Sequence, residues 1–326
     1  MVDVVASAGT NSTATKAGTT QASQAPNPAL NSDPSKSVDS KTILNAPFII
    51  ETKHTRQRWL KALIYGPHGS GKTELIASSV DVESMRDVIM VDAERGDTTL
   101  EENERIKNVD LISTVRVTNF KQVAYIQEFL TAYCRARDIK DFDKMRKLYC
   151  QVTGKSMDEV TSENVPQFKT VLIDSLTEVE GYCTYQILNI DSGKMVIDDM
   201  DVAGWPEFRK NLEMMKLLVR AYRDLPMNVL FACAESYNQD EQKRYHYQPQ
   251  LTGKLATSVQ GFVDIVGRMV VGAATPEQPV APRRLYVQPV SGGAKFDAKN
   301  RKSVYKNAFF EDPTMHSIMS AINMIR

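Results

Sequence analysis

Long apolar runs are missing from this sequence: none approaches the roughly 18 consecutive residues that a membrane-spanning helix needs. The N-terminus lacks the basic-then-apolar pattern of a secretory signal, so neither export nor a membrane partner is expected. Cysteine is scarce: Cys134, Cys150, Cys183 and Cys233 lie far apart and form no C-x-x-C pair. That spacing argues against a zinc site or a disulfide framework and fits a reducing, cytoplasmic compartment. The four histidines, His54, His68, His246 and His316, show no metal-ligand spacing. Neither sign of charge is in excess, since 40 Lys and Arg balance 40 Asp and Glu. No global field therefore draws the protein to nucleic acid or membrane, although zero net charge leaves room for a local basic patch.

Residues 1–45 are mostly Ala, Ser, Thr, Asn, Gln, Gly and Pro. Such a segment buries too little apolar surface to offset its ordering entropy. It reads as a disordered tail, with a flexible partner-binding arm as the functional alternative. Phe48-Ile49-Ile50 reads either as an edge strand or as a segment that docks on a neighbouring copy. From 46 to 326 short apolar runs alternate with helical periods. Residues 88–91, 114–117, 171–173 and 229–234 read as strands, and 120–137 and 206–224 as helices, the second with Pro206 at its first position. Continuous apolar strands alternating with helices predict an α/β domain, a mostly parallel sheet with helices on both faces. The charged stretch 138–168 reads as an insertion. Strands and hairpins are expected beyond about 262, closed by a helix near 313–325.

Gly66-Pro67-His68-Gly69-Ser70-Gly71-Lys72-Thr73 is a complete G-x-x-x-x-G-K-[ST] loop. A buried strand is expected over 60–65 before it and a helix over 74–79 after it, the context this loop needs. Gly66, Gly69 and Gly71 let the backbone turn tightly and present N–H groups to phosphate oxygens, and the helix start adds a partial positive charge. The motif predicts a nucleotide site built from residues 66–73 and Glu74, with ATP and Mg2+ as cofactors. Lys72 reaches the β and γ phosphates and the Thr73 hydroxyl holds the metal. The bland reading is a chance glycine turn before a helix.

Two carboxylates extend this site. The apolar run 170–173 ends in Asp174, the pattern of a carboxylate that supports Mg2+; such an Asp also serves simply as a helix cap. The run 88–91 ends in Asp92-Ala93-Glu94-Arg95-Gly96. A Glu near the γ-phosphate suits the orientation and deprotonation of attacking water. The competing reading is a solvated turn, since Gly96 and Asp97 are ordinary turn residues.

In this order, Gly-Pro-x-x-Ser-Gly-Lys-Thr, a strand ending Asp-Ala-Glu and a strand ending Ile-Asp-Ser resemble the RecA family of recombination ATPases. The likeness covers about residues 55–305. It is nearest to the short RecA-like ATPases of bacteriophages, whose Gly-Trp-x-x-[LF]-Arg-like segment is matched by Gly204-Trp205-Pro206-Glu207-Phe208-Arg209. The resemblance implies a RecA-type P-loop NTPase core with Glu94 as catalytic base. It further implies ATP hydrolysis in recombination or single-strand annealing, stimulated by single-stranded DNA and carried out by a homo-oligomer, ring or filament. A single-strand-binding protein is an additional implied partner. The strand 229–234 corresponds to one that carries a γ-phosphate sensor, usually Gln or His; here it ends Ala234-Glu235-Ser236, leaving Glu235 and Ser236 as candidates. Residues 252–256 and 262–266 resemble the segment leaving the second DNA-binding loop. A helicase-like or helicase-loading motor and a non-hydrolysing ATP switch are the alternatives.

Residues 283–306 hold Arg283, Arg284, Lys295, Lys299, Arg301, Lys302 and Lys306 against one acid, Asp297, with Tyr286, Phe296 and Tyr305 interleaved. One reading is a basic, aromatic surface for single-stranded DNA. Another is a finger to a neighbouring subunit's ATP, because Lys299-Asn300-Arg301 resembles the Lys-x-Arg finger of RecA-like hexameric helicases. A third is a solvated hairpin. Lys243 and Arg244 read either as part of a DNA loop or as a solvated turn, and Lys254 is a further candidate DNA contact.

Overall fold

The computed structural model describes residues 58–101, 103–190, 203–239, 241–274, 279–290, 295–301 and 305–325. The expected tail over 1–45, the segment at 48–50, His54 and Lys302 lie outside them. The strand before the phosphate loop, β1 (Lys61–Gly66), is buried along its whole length. Leu63 and Tyr65 enter one apolar cluster, Ala62 and Ile64 another. Successive strand residues point to opposite faces, so a strand covered on both sides must be apolar at nearly every position.

Five strands join β1 in parallel: β2 (Val88–Asp92), β3 (Ile112–Arg116), β4 (Thr170–Asp174), β5 (Asn228–Gln239) and β7 (Ile265–Val271). Their order across the sheet is β7-β1-β5-β4-β2-β3. Beyond β7 the sheet turns antiparallel, with β8 (Arg283–Tyr286) and then β11 (Phe309–Glu311). The short β10 (Lys299–Asn300) also pairs antiparallel with β7. β6 (Tyr245–Pro249) folds back on the far half of β5, and β9 (Lys295–Phe296) lies beside it. The α/β expectation holds; most strands lie within one or two residues of the apolar runs that announced them, while β5 runs on five residues past its run at 229–234.

One face is covered by α2 (Phe120–Asp138), α3 (Phe142–Thr153), α4 (Leu176–Ile187), α5 (Trp205–Arg223) and α6 (Lys254–Phe262). Their Leu130, Met145, Val179, Met215 and Val259 share a cluster with Val171 and Ile173 of the sheet. The other face is covered by α1 (Lys72–Ala77) and α7 (Met315–Ala321), through Leu75, Ile76, Met315 and Ile318. Helix starts follow local chemistry. The Asn119 side chain accepts the Gln122 N–H at 3.0 Å, and Glu207 reaches back to the Gly204 N–H at 3.0 Å with Pro206 at the entry of α5. The charged stretch 138–168 contains α3 and apolar anchors, Met145, Val160, Val165 and Phe168, all buried. Arg146 ties it together, donating to Val160 O at 2.5 Å and Met157 O at 2.6 Å.

Lys61 is only 9% exposed, and its Nζ donates to Leu225 O at 2.8 Å and Met227 O at 2.5 Å, fastening the turn that enters β5. Burial pushes its pKa down to about 7 against the pull of Asp264 and Asp224. Lys61→Ala leaves two carbonyls without this donor and is expected to cost about 2–4 kcal/mol in denaturant unfolding. The unfolded chain holds this proton up to about 10.5 while the folded one releases it near 7. Stability relative to Lys61→Met is therefore expected to rise as pH climbs through that window. A pH-independent difference between the two proteins contradicts this account.

Candidate nucleotide-binding site

The phosphate loop leaves the C-terminal end of β1, where parallel sheets place their ligands. Gly71 takes φ +91°, a conformation that side-chain-bearing residues rarely adopt, and α1 follows at once. Pro67, His68 and Gly69 are exposed at the tip, whereas Ser70 is buried. The Ser70 hydroxyl has no hydrogen-bond partner among the described residues, an orphan donor inside a loop built for anions. Lys72 Nζ donates to Gly66 O at 3.1 Å and Pro67 O at 3.0 Å, so it lies folded along the loop. Burial pushes its pKa down, and Glu94 and Asp174 pull it back up.

Asp174, at the end of β4, is 1% exposed. Its Oδ2 accepts the Thr73 hydroxyl at 2.6 Å. Burial is the main reason its carboxyl pKa is pushed up to about 6; Glu94 and Asp92 add to it, while Thr73 and Lys72 oppose it. Next in the chain, the Ser175 hydroxyl donates to Glu94 Oε1. Ser175 also caps α4, accepting the Glu178 N–H at 3.4 Å. The sequence brought Glu94 and Asp174 together only as a resemblance; parallel pairing of Asp92 with Asp174 places them side by side.

Asp92 has a role that sequence reasoning missed. Its carboxylate accepts N–H bonds from Glu94 at 3.2 Å, Gly96 at 2.9 Å and Asp97 at 3.4 Å. One buried side chain thus shapes the turn that presents Glu94. Asp97 in turn accepts Arg116 at 2.7 Å. Gly96 is also more than a turn residue: a Cβ there would lie 2.8 Å from Asp174 Oδ2 and 3.5 Å from Thr73 Oγ1. The space beside these two oxygens is kept clear by the missing side chain. Thr73 and Asp174 are hard oxygen donors, and with that space they fit a magnesium ion.

The remaining expected residues separate. Glu235, a sensor candidate, forms a two-point ion pair with Arg268 at 2.6 and 3.1 Å, and the Arg268 guanidinium lies 3.8 Å from the Tyr247 ring centre. Its carboxylate is committed to that pair. Ser236 continues β5 into the hairpin with β6. Lys243 and Arg244 lie exposed at the turn of this hairpin, and Lys254 is exposed at the start of α6.

The 283–306 segment is not one basic surface. Alternation along β8 sends Arg283 and Leu285 to the α1 face and Arg284 and Tyr286 to the other. Arg283, expected as a DNA contact, pairs instead with Glu74 at 2.6 Å, beside the phosphate loop. Burial works to raise the Glu74 pKa, but Arg283, Asn103 and Arg105 together hold it below its usual value. Arg284 pairs with Glu311 at 3.1 Å and lies over Phe309. Lys299 Nζ donates to Gln260 O at 2.5 Å and Val263 O at 2.9 Å, and Arg301 to Gly261 O at 2.6 Å. These cations cap the C-terminal carbonyls of α6 in their own chain, which is the favoured place for positive charge at a helix end. The interleaved aromatics pack inward: Tyr286 meets Phe296 and Phe309 at 5.4 and 5.3 Å, and Tyr305 stacks on Phe310 at 4.0 Å.

Gly96→Ala is expected to weaken Mg2+-dependent nucleotide binding by about tenfold or more, equivalent to about 1.4 kcal/mol, measured well below the melt of the free protein, which the crowding of Asp174 also lowers. Titration of ATP with and without Mg2+ measures it; equal affinities in variant and wild type defeat the cradle assignment.

No curated protein matches this chain. Among the described residues no helix is long and apolar enough to cross a membrane. Solved structures similar to it include the flagellar accessory protein FlaH from Methanocaldococcus jannaschii, at 9% identity and a TM-score of 0.36 over 77% of this chain and 84% of that one. The RadB recombinase is similar at 14% identity and a TM-score of 0.31, over 70% of this chain and 79% of that one. Residues 58–302 match the AAA domain family AAA_24, about three quarters of the sequence, and with its phosphate loop set in an α/β P-loop core the chain belongs to that family.

Proposed function

We propose that the protein is a Mg2+-dependent ATPase that works on single-stranded DNA in recombination or strand annealing. The observation that carries the hydrolytic half is the meeting of two carboxylates on the phosphate loop. Asp174 receives Thr73 at 2.6 Å, and Glu94 is held by the neighbouring Ser175. Backbone N–H groups of the loop and Lys72 grip the β and γ phosphates. Thr73 and Asp174 would hold magnesium, which would neutralise charge on those phosphates. Glu94, fixed by Ser175 and by the Asp92-organised turn, orients a water and takes its proton as the water oxygen bonds to the γ-phosphorus. The bridging bond to the β-phosphate breaks and ADP leaves with the bond's electron pair.

The DNA half rests on the β5–β6 hairpin, together with the likeness to the short phage ATPases. Tyr237 is 63% exposed and Tyr245 46% exposed, with ring centres 5.4 Å apart, and Lys243 and Arg244 stand at the turn. Exposed rings flanked by cations suit unstacked bases and their phosphates. The same strand, β5, borders β1 at the phosphate loop, pairing Ala234 with Gly66. A ring or filament of this chain is part of the proposal, carried by the sequence likeness alone.

The test is ATP turnover with and without single-stranded DNA, alongside particle mass. Glu94→Gln is expected to lower kcat by about 100-fold or more while retaining ATP binding, and Lys72→Ala to weaken binding itself. Unchanged turnover in Glu94→Gln rejects the base assignment. The paired variant Tyr237→Ala and Tyr245→Ala is expected to weaken binding of a labelled oligo-dT by about tenfold or more, since each stacked base contributes about 1–3 kcal/mol. Wild-type DNA affinity in that variant removes the hairpin from the DNA site.

A further inference from the structure

We propose that Arg283 is a nucleotide-binding arginine supplied in cis, parked on Glu74 and transferred to the phosphates when a triphosphate binds. The inference rests on residues 66–73 being the phosphate loop of the function proposed above.

Three observations lead to it. The first is position. The Arg283 guanidinium lies against Gly71: a Cβ on that glycine would sit 2.8 Å from Nη1 and 2.9 Å from Cζ. The second is charge. Glu74 Oε1 accepts both Arg283 at 2.6 Å and Arg105 at 3.2 Å. One carboxylate thus holds two guanidinium groups, so Glu74 stays paired with Arg105 when Arg283 leaves it. The side chains of Glu74 and Arg283 are only 20% and 26% exposed, so water screens their charges incompletely. A planar guanidinium matches phosphate oxygens two at a time, so a triphosphate offers Arg283 the same two-point contact at higher charge. The third is mechanics. The Arg283 backbone is fixed, its N–H donating to Asp312 Oδ1 at 2.9 Å and its carbonyl accepting the Asp312 N–H at 2.7 Å. The side chain is left as the moving part, and beside it opens a cavity of about 670 Å3, whose charged lining is Glu74, Glu101, Glu104, Arg105 and Arg283.

A purely structural ion pair is the competing explanation. Glu74 keeps Arg105 when Arg283 is gone, and the β8 ladder is held by backbone bonds, so the fold has little need of the Arg283 guanidinium. The two accounts diverge in ligand affinity. In a fluorescent ATP-analogue titration, Arg283→Ala is expected to raise Kd by about tenfold or more, the range of one charge-assisted contact, while the melting temperature of the free protein stays put. Arg283→Gln, which keeps an amide donor and part of the stem without the charge, is expected to weaken binding as well and serves if the alanine variant does not fold. Glu74→Gln releases the arm and is expected to tighten binding by about threefold or more, an effect that disappears when Arg283 is also Ala. Wild-type affinity in both Arg283 variants overturns the proposal, as does a Glu74→Gln effect that persists without Arg283. A wild-type protein that binds no ATP overturns the phosphate-loop reading itself, and this inference with it.

Discussion

The bond from the Thr73 hydroxyl to Asp174 is the contact on which the rest of the site depends. Thr73 stands at the start of α1, after the loop that leaves β1, and Asp174 ends β4; β1 and β4 are not neighbours, and β5 lies between them. The phosphate loop and the metal-side carboxylate must therefore meet across the end of β5. At that end the strand carries Ala232, Cys233 and Ala234, small residues that leave room for the crossing. The contact also offsets part of the cost of burying a carboxylate, a cost visible in the pKa near 6. Parallel strands make the convergence possible, because β1, β4 and β2 all deliver their C-terminal ends to one rim of the sheet.

Around this pair Glu94 is held indirectly. Glu94 is exposed, and exposed side chains on turns are poorly positioned unless something else fixes the backbone. Asp92 does so from beneath by collecting three N–H groups, and Ser175 does so from the side. Gly96 completes the turn and keeps the metal-side oxygens uncovered. The short segment from Asp92 to Asp97 is thus organised from a buried strand end, which is why it is not an ordinary solvated turn.

The fold and the centre of the site were legible because their signals are local. The eight-residue phosphate loop, apolar runs at 88–91, 171–173 and 229–234, and the helical periods at 120–137 and 206–224 each fit within one element. What sequence reading misplaced depends on pairing between elements. Residues 283–306 look like one basic block, but strand alternation sends Arg283 and Arg284 to opposite faces, and β10 carries Lys299 to the end of α6. Glu235 resembles a sensor until Arg268, far along the chain, takes its carboxylate. The apolar anchors of 138–168 are too widely spaced to show a period among so many charges.

These long-range pairings also suggest how the two ends of the molecule's chemistry are mechanically joined, with α4 as the link. At its start Ser175 holds Glu94. Two residues on, the Thr177 hydroxyl accepts the Ala234 N–H at 3.0 Å and donates to Gln250 O at 3.3 Å, touching β5 and the residue that follows β6. One turn later the buried Glu180 accepts the Thr252 N–H at 3.0 and 3.1 Å and the Asn211 amide at 2.9 Å. Burial raises the Glu180 pKa, and these bonds pull it back. One helix with its capping serine therefore contacts Glu94, the base of the Tyr237–Tyr245 hairpin and the entry to α6. A displacement of Ser175 large enough to release Glu94 must also move Thr177 or strain α4. The bond network thus ties the hairpin's base to the orientation of Glu94 through contacts that are individually ordinary.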